Sequence, residues 1–214
     1  MASLKKGQGP VMTGVIGNIV VARRKNTIYH RRRPVVNPDN ISVGQRAQHL
    51  RMKVASPFVV SMQDVLYFTF NDPARSASPY NLALGHVMSN ALVGEYPNYS
   101  IRYESVSIST GQLPPPVNAA AETYRVNNTH AIRFTWEMIP HVGMSSPHDG
   151  AILVAYHANT SYCYSSIDDA RRADQEGLLE LPNLTGEEVH TWLGFVSAKG
   201  NRFSPSVYTG KLIL

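Results

Sequence analysis

Residues 189–197 read VHTWLGFVS, a run of β-branched and aromatic side chains that stops at the turn former AKGN, residues 198–201. A short run of this kind, bounded by Gly and Asn, predicts a strand. Outward from it the same grammar recurs. IRYESVSI (101–108), HAIRFTWEM (130–138), AILVAYH (151–157), SYCYSS (161–166) and SVYTGKLIL (206–214) are set apart by Gly, Pro, Asn and Ser clusters such as GQLPPPVNAA (111–120) and HVGMSSPHDG (141–150). About six or seven strands so spaced leave no room for crossover helices, so they predict an antiparallel sandwich rather than a parallel sheet.

The segment before it follows a different period. NISVGQRAQHLRMKVASP (40–57) opens with Ser42 and, three residues later, Gln45, the spacing of a capping box, and predicts a helix. Phe58, Met62, Val65 and Leu66 continue at helical spacing until Asp72 and Pro73 break the pattern. A further helix starts with Ser78 as cap and Pro79 in the first turn, runs through Leu84, Val87, Met88 and Leu92, and is expected to end at Gly94. The fold class expected is therefore α+β. Residues 1–41 form a glycine-rich basic arm, 42–98 a helical segment, and 99–214 the antiparallel β-sandwich. With 214 residues, of which 43% are apolar, the chain can bury a sizeable core without disulfides or metals.

The arm carries the charge. Within VVARRKNTIYHRRRP (20–34), six of the eleven residues from Arg23 to Arg33 are Arg or Lys, flanked by Val20, Val21, Ile28 and Tyr29. Residues 1–53 hold eleven basic side chains against one acid, Asp39, a net +10. Residues 54–214 hold nine against fourteen, a net −5. A solvated tail needs no apolar flanks, so the segment predicts a hairpin of NIVVARR and TIYHRRR turning at Lys25 and Asn26. Alternation along each strand then puts Arg23 and Arg32 on one face with Ile19, Val21 and Ile28. Arg24, Arg31 and Arg33 share the other face with Val20 and Tyr29. Gly7, Gly9, Gly14 and Gly17 permit bends before it, and Pro34 and Pro38 stop it.

One cysteine, Cys163, cannot close an intramolecular disulfide, which suits a reducing compartment and a cytoplasmic location. Lys5 and Lys6 precede an apolar run, but Gly14, Gly17 and Asn18 interrupt it and a basic cluster follows, unlike a secretory leader. No run approaches the ~20 apolar residues that cross a bilayer, so no membrane partner is expected.

The stretch LPNLTGEEVHTWLGFVSAKGNRFSPS (181–206) resembles the last strands of fibronectin type III domains in Leu181, Leu184, Gly186, Gly200 and Ser206, with Trp136 as the core tryptophan of an earlier strand. Val189 and His190 stand where that family has a corner tyrosine. The resemblance implies an immunoglobulin-like sandwich. The whole chain is also similar to an uncharacterised family of about 200-residue Bacteroidota proteins, through TGVIGNIV (13–20), NISVGQRAQ (40–48), SPYNLALGHVMSNALVGEYPNYSIRYESVSISTGQLP (78–114), IRFTWE (132–137), DGAILVAYH (149–157) and SPSVYTGKLIL (204–214). That similarity implies a glycine-rich arm, a helical middle and a β-domain, and supplies no activity.

Enzyme signatures are scarce: there is no phosphate loop, GxSxG elbow, HExxH or paired CxxC. His141, His148 and Asp149 match no standard metal spacing and fit a polar loop. Cys163 with His157 could be pictured as nucleophile and base, but an isolated strand cysteine is usually a small core residue. Asp168, Asp169, Arg171, Arg172 and Asp174 fit a solvated face. Tyr96, Tyr99 and Tyr103 fit packing better than base stacking.

The expectation is a non-enzymatic binding protein without a cofactor or metal. Its arm docks on a polyanion, nucleic acid foremost, through Arg23, Arg24, Lys25, Tyr29, Arg31, Arg32 and Arg33, with His30 interleaved and Arg46, Arg51 and Lys53 in support. The alternative is a self-assembling homo-oligomer in which the arm clasps an acidic surface of the next subunit, building a particle or filament.

Overall fold

Buried on both sides, a strand has no polar face to spare, and β9 (Gly150–His157, GAILVAYH) and β12 (Glu188–Val196) are built that way. All eight residues of β9 are buried, and so are all of β12 but Glu188 and His190. They pair antiparallel, Leu193 opposite Leu153 and Trp192 opposite Val154. Computed as a structural model, the structure describes residues 3–4, 13–24, 27–35, 41–71, 76–126, 129–138, 144–182 and 186–214. They fall into two compact units, 1–45 and 46–214.

In the second unit the β9–β12 pair is flanked by β10 (Tyr162–Arg171) and β13 (Val207–Ile213), giving the order β10-β9-β12-β13. A second antiparallel sheet has the order β11-β8-β7, from β7 (Val117–Val126), β8 (Thr129–Glu137) and β11 (Glu176–Glu180). Alternation sorts the central side chains into two cores. Ala151, Leu153 and Ala155 of β9 and Val189, Leu193 and Phe195 of β12 meet Ile132, Phe134 and Trp136 of β8 and Leu179 of β11. From the opposite face, Ile152, Val154, Tyr156, Trp192 and Val196 meet Phe58, Val59, Met62, Val65, Leu84 and Val87 of the helices. The unit is thus a helical layer, a four-stranded sheet and a three-stranded sheet.

The helices are α1 (Val43–Ser61), α2 (Gln63–Thr69) and α3 (Pro79–Asn90). The Ser42 N–H donates to Gln45 Oε1 (2.9 Å) and the Gln45 N–H to Ser42 Oγ (3.2 Å), so the capping box forms. Pro57 does not end α1, which runs four residues further. The hydrogen bond proline forfeits is the one to the Lys53 carbonyl on the exposed side, while burial of Phe58 and Val59 holds the next turn. Ser78 caps α3 by accepting from the Asn81 N–H (3.3 Å), with Pro79 at the first turn.

Three expectations need correcting. The α3 helix stops at Asn90 and not at Gly94, because Leu92–Glu95 forms β5 against β6 (Asn98–Ile101). Gly94 sits at φ 99° opposite Tyr99, where any side chain would collide with the Asn98 carbonyl. IRYESVSI is no strand: after Ile101 it makes a 3-10 turn at Tyr103–Ser105 and then an extended run. Its polar atoms are taken up by residues distant in sequence, since the Val106 carbonyl accepts from Trp192 Nε1 (3.1 Å) and the Ile108 N–H donates to Ser206 Oγ (2.9 Å). Gly194 leaves room for that run, as a side chain there would meet Ser109 Oγ. Conversely, β7 and β11 lie where no strand was expected.

Arg172 is the third. It is buried and stacks its guanidinium 3.7 Å from the centre of the Phe195 ring, far from the solvated face its neighbours suggest. Nε faces Asp149 Oδ2 at 3.3 Å and Nη2 donates to the Pro114 carbonyl (3.0 Å). Burial draws the guanidinium below its usual pKa, and the Asp149 carboxylate opposes that shift. The Arg133–Glu122 pair across β7 and β8 is open to solvent instead.

Two outcomes follow from these environments. Asp149→Ala leaves a buried guanidinium without its counter-charge and should cost about 3–5 kcal/mol in denaturant unfolding, whereas Arg133→Ala changes stability little. Gly85 lies inside α3 with nothing within 4 Å of where a Cβ would project. Gly85→Ala should therefore stabilise by about 0.5–1 kcal/mol, read as a higher Tm, because glycine's backbone freedom is lost for no packing gain.

Candidate nucleic-acid interface

In the arm, β3 (Ile19–Arg24) and β4 (Thr27–Arg32) pair antiparallel from Ile19 opposite Arg32 to Arg24 opposite Thr27. Two short strands extend them: β2 (Gly14–Ile16) on β3 and β1 (Ser3–Leu4) on β4, in the order β1-β4-β3-β2. Gly17, at φ 59°, opens the turn from β2 to β3, a left-handed backbone that glycine adopts without strain.

The register fixes the faces. Directly opposed residues point the same way, so Arg23 and Arg32 share a face with Ile19, Val21, Ile28 and His30, and Ile16 joins them beside Ile19. Arg31 shares the other face with Val15, Val20 and Tyr29. Arg33 follows β4 and donates its N–H to the Asn18 carbonyl (2.8 Å). Arg31, Arg32 and Arg33 are exposed, and among the described residues no carboxylate pairs with them. Arg23 is exposed and has a partner of its own. Tyr29 and His30 are half-buried. Lys25, Asn26 and the Arg24 side chain lie outside what the structure describes.

The supporting cations sit on α1. Arg46 and Lys53, seven residues apart, share one exposed face with His49. Arg51 points elsewhere: it is half-buried and its Nη2 donates to the Met88 carbonyl (3.0 Å), tying α1 to the last turn of α3.

The other candidates resolve into packing. Cys163 is opposite Tyr156 on β10, whereas His157 is opposite Tyr162, so the two side chains point to opposite faces of the sheet. Burial pushes the Cys163 thiol up to about 12, with Asp64 adding to it. Both nitrogens of His157 are occupied, Nδ1 by Thr160 Oγ1 (2.5 Å) and Nε2 by Glu187 Oε2 (2.9 Å). The His157 bond, then that from Asn159, holds the Glu187 carboxyl below its ordinary range. Asp149 is committed to Arg172, and His141 lies outside the described residues, among which no His, Cys, Asp and Glu cluster suits a metal. Asp168 pairs with Arg171 in a β10 bulge, and Asp169 accepts from Ser166 (2.5 Å). Tyr103 stacks on His190 with ring centres 3.9 Å apart, next to Phe58 and Tyr156, while Tyr96 is exposed.

A family model, that of the family of unknown function DUF6266, matches residues 11–210. The chain belongs to this family. No curated protein matches it. The DUF6266 match takes in the strands β2, β3 and β4 of the arm together with α1–α3 and the sheets.

What the sequence left unseen in this DUF6266 chain is β2, which adds Val15 and Ile16 to the apolar residues already expected beside the arginines. Val15 (59%), Ile16 (58%) and Ile19 (50%) are exposed on β2 and β3. Their alternation with Gly14 and Gly17 was the available signal, read there as bends rather than as a third strand. At the cysteine, native protein should resist iodoacetamide at about pH 8 and react fully in denaturant, because thiolate is the reactive form. Rapid native alkylation, followed by intact mass, would contradict the burial.

Proposed function

We propose that this protein is a non-enzymatic binding protein whose basic arm docks on a polyanion, nucleic acid foremost, with little sequence specificity. The observation that carries the reading is the run Arg31–Arg32–Arg33: consecutive exposed guanidiniums, delivered to both faces of a paired strand, with no carboxylate among the described residues to neutralise them. Arg presents a planar fork that suits phosphate, and Tyr29 and His30 are placed between the charges for stacking or sugar contacts. Arg23 adds to the charge of the arm, and Arg46 and Lys53 form a basic face of their own on α1. Recognition of this kind is of backbone and shape, since no base-reading element is present in the sequence.

A second reading is favoured by Val15, Ile16 and Ile19. Apolar side chains this exposed, on a sheet with short outer strands, suit pairing with a neighbouring subunit, and the chain would then be a component of a particle or filament. The larger unit is proposed to contain an immunoglobulin-like sandwich. Its support is the strand order, β7, β8 and β11 against β10, β9, β12 and β13, with Trp136 buried between the sheets. A reducing, cytoplasmic setting is proposed from the lone cysteine.

Protein purified with nuclease and high salt separates the readings. Titration of a labelled duplex and a single strand should give binding that falls about a thousandfold between 50 and 200 mM salt if about six phosphates are contacted. Replacing Arg31, Arg32 and Arg33 with Ala should reduce the slope of log K against log salt by about three. Salt-insensitive or absent binding, together with a nucleic-acid-free assembly in light scattering that Val15→Asp and Ile16→Asp dissolve, would replace the first reading with the second.

A further inference from the structure

On the helical side of the second unit, α2, α3 and the loops at 110–112 and 201–203 enclose a cleft of about 890 Å³. This is within the size range of sites for small organic ligands. Its chemistry is narrow. Five carboxamides line it, Asn71, Asn81, Asn90, Gln112 and Asn201, alongside the Ser89 and Thr110 hydroxyls. Among the described residues the lining has one cation, Arg202, and no carboxylate. His86 adds no charge near neutrality, because burial pulls its imidazole below the ordinary range. Its Nδ1 is, among the described residues, a buried side-chain atom left without a hydrogen-bond partner.

A carboxamide offers two donor hydrogens and an acceptor on one planar group, so it keeps sites for a hydroxyl even where Asn90 Nδ2 donates to the His86 carbonyl (3.0 Å) and Asn201 Oδ1 accepts from Ser197 Oγ (3.1 Å). A wall of such groups suits a ligand dense in hydroxyls and gives little to a multivalent cation or a strongly charged anion. His86 and Phe203, both half-buried, supply aromatic surface of the kind that covers a sugar's C–H face, and the buried Phe70 ring backs His86 with ring centres 6.0 Å apart. The wall is also held in place: Leu113 N–H donates to the Phe203 carbonyl (3.0 Å), and Gly111 permits that approach, since any side chain there would collide with the same carbonyl.

Gly85 supplies a separate argument. It lines the cleft from the interior of α3, where glycine is the least favourable residue after proline. Among the described residues no neighbour requires its small size, because a Cβ would meet nothing within 4 Å. What its small size does preserve is the open volume. We infer that the cleft between α2, α3 and the two loops binds an uncharged oligosaccharide, held by its carboxamides and seated over Gly85.

The test uses the full chain and isothermal titration calorimetry with a panel of neutral hexasaccharides (cellohexaose, maltohexaose, laminarihexaose, xylohexaose, mannohexaose and chitohexaose), and hexagalacturonate as the charged comparison. At least one neutral member should bind with Kd of about 1 mM or tighter, and equally at low and high salt, since no ion pair is formed. Gly85→Leu projects a branched side chain into the cleft from a position where a Cβ meets no described atom within 4 Å, and should weaken that binding at least tenfold while Tm is unchanged or higher. Asn81→Ala and Asn201→Ala should each weaken binding by roughly tenfold, the scale of one lost hydrogen bond. The inference is overturned if no neutral member binds at about 10 mM ligand, where a millimolar site would be nearly saturated. It is equally overturned if only hexagalacturonate binds, or if Gly85→Leu binds as the parent does.

Discussion

The structure depends on one constraint: β9 and β12 have no solvent face. A sheet strand that packs on both sides must be apolar at consecutive positions and must leave every backbone group in the ladder. AILVAYH and TWLGFV satisfy that, and two separate cores form from alternate residues of the same two strands. The helices are for this reason part of the body and not an appendage, since Phe58, Met62 and Val65 close the face that Ile152, Val154 and Trp192 would otherwise show to water. Burial at about 25 cal/mol per Å² makes that face too costly to leave open.

Polar groups trapped between the layers are handled one at a time. Trp136 Nε1 donates to the Arg172 carbonyl (2.9 Å) and Trp192 Nε1 to the Val106 carbonyl (3.1 Å), so each large ring is buried with its one donor satisfied. Ser204 Oγ accepts from the Phe195 N–H (2.8 Å), and Ser109 Oγ donates to the Ser204 carbonyl (2.8 Å). Arg172 is the extreme case, a charge brought under the sheet edge and matched by Asp149, the Pro114 carbonyl and the Phe195 ring. These bonds hold the loops around 110 and 203, and so shape the cleft that the helices leave open.

The arm obeys a different balance. Its four strands are short and its described residues are largely solvent-facing, so hydrogen-bond pairing and turn geometry, not a large core, set its shape. That leaves charge and apolar surface side by side, Arg31 beside Val15 and Val20, Arg32 beside Ile16 and Ile19. Both proposed roles of the arm use this mixture, one through guanidinium and phosphate, the other through apolar contact between copies.

Local chemistry alone determined a good part of this protein. The cap at Ser42, the cap and proline at Ser78–Pro79, and the pairing of NIVVARR with TIYHRRR were all legible, because each rests on neighbours within a few residues. So were β8, β9, β10, β12 and β13, whose β-branched and aromatic content is dense. Long-range contacts decided the rest. β7 is alanine-rich and β11 is only five residues, and both become strands because β8 offers them open edges. The basic charge of the arm was plain in the sequence, whereas the exposed apolar strip of β2 was not, since Gly14 and Gly17 fit a bend as well as a hairpin. Arg172 looked like surface because its neighbours are charged, and only the fold brings Asp149 and Phe195 to it. The cleft was beyond the sequence altogether: its carboxamides come from residues 71 to 201, and no spacing along the chain records that three-dimensional closeness.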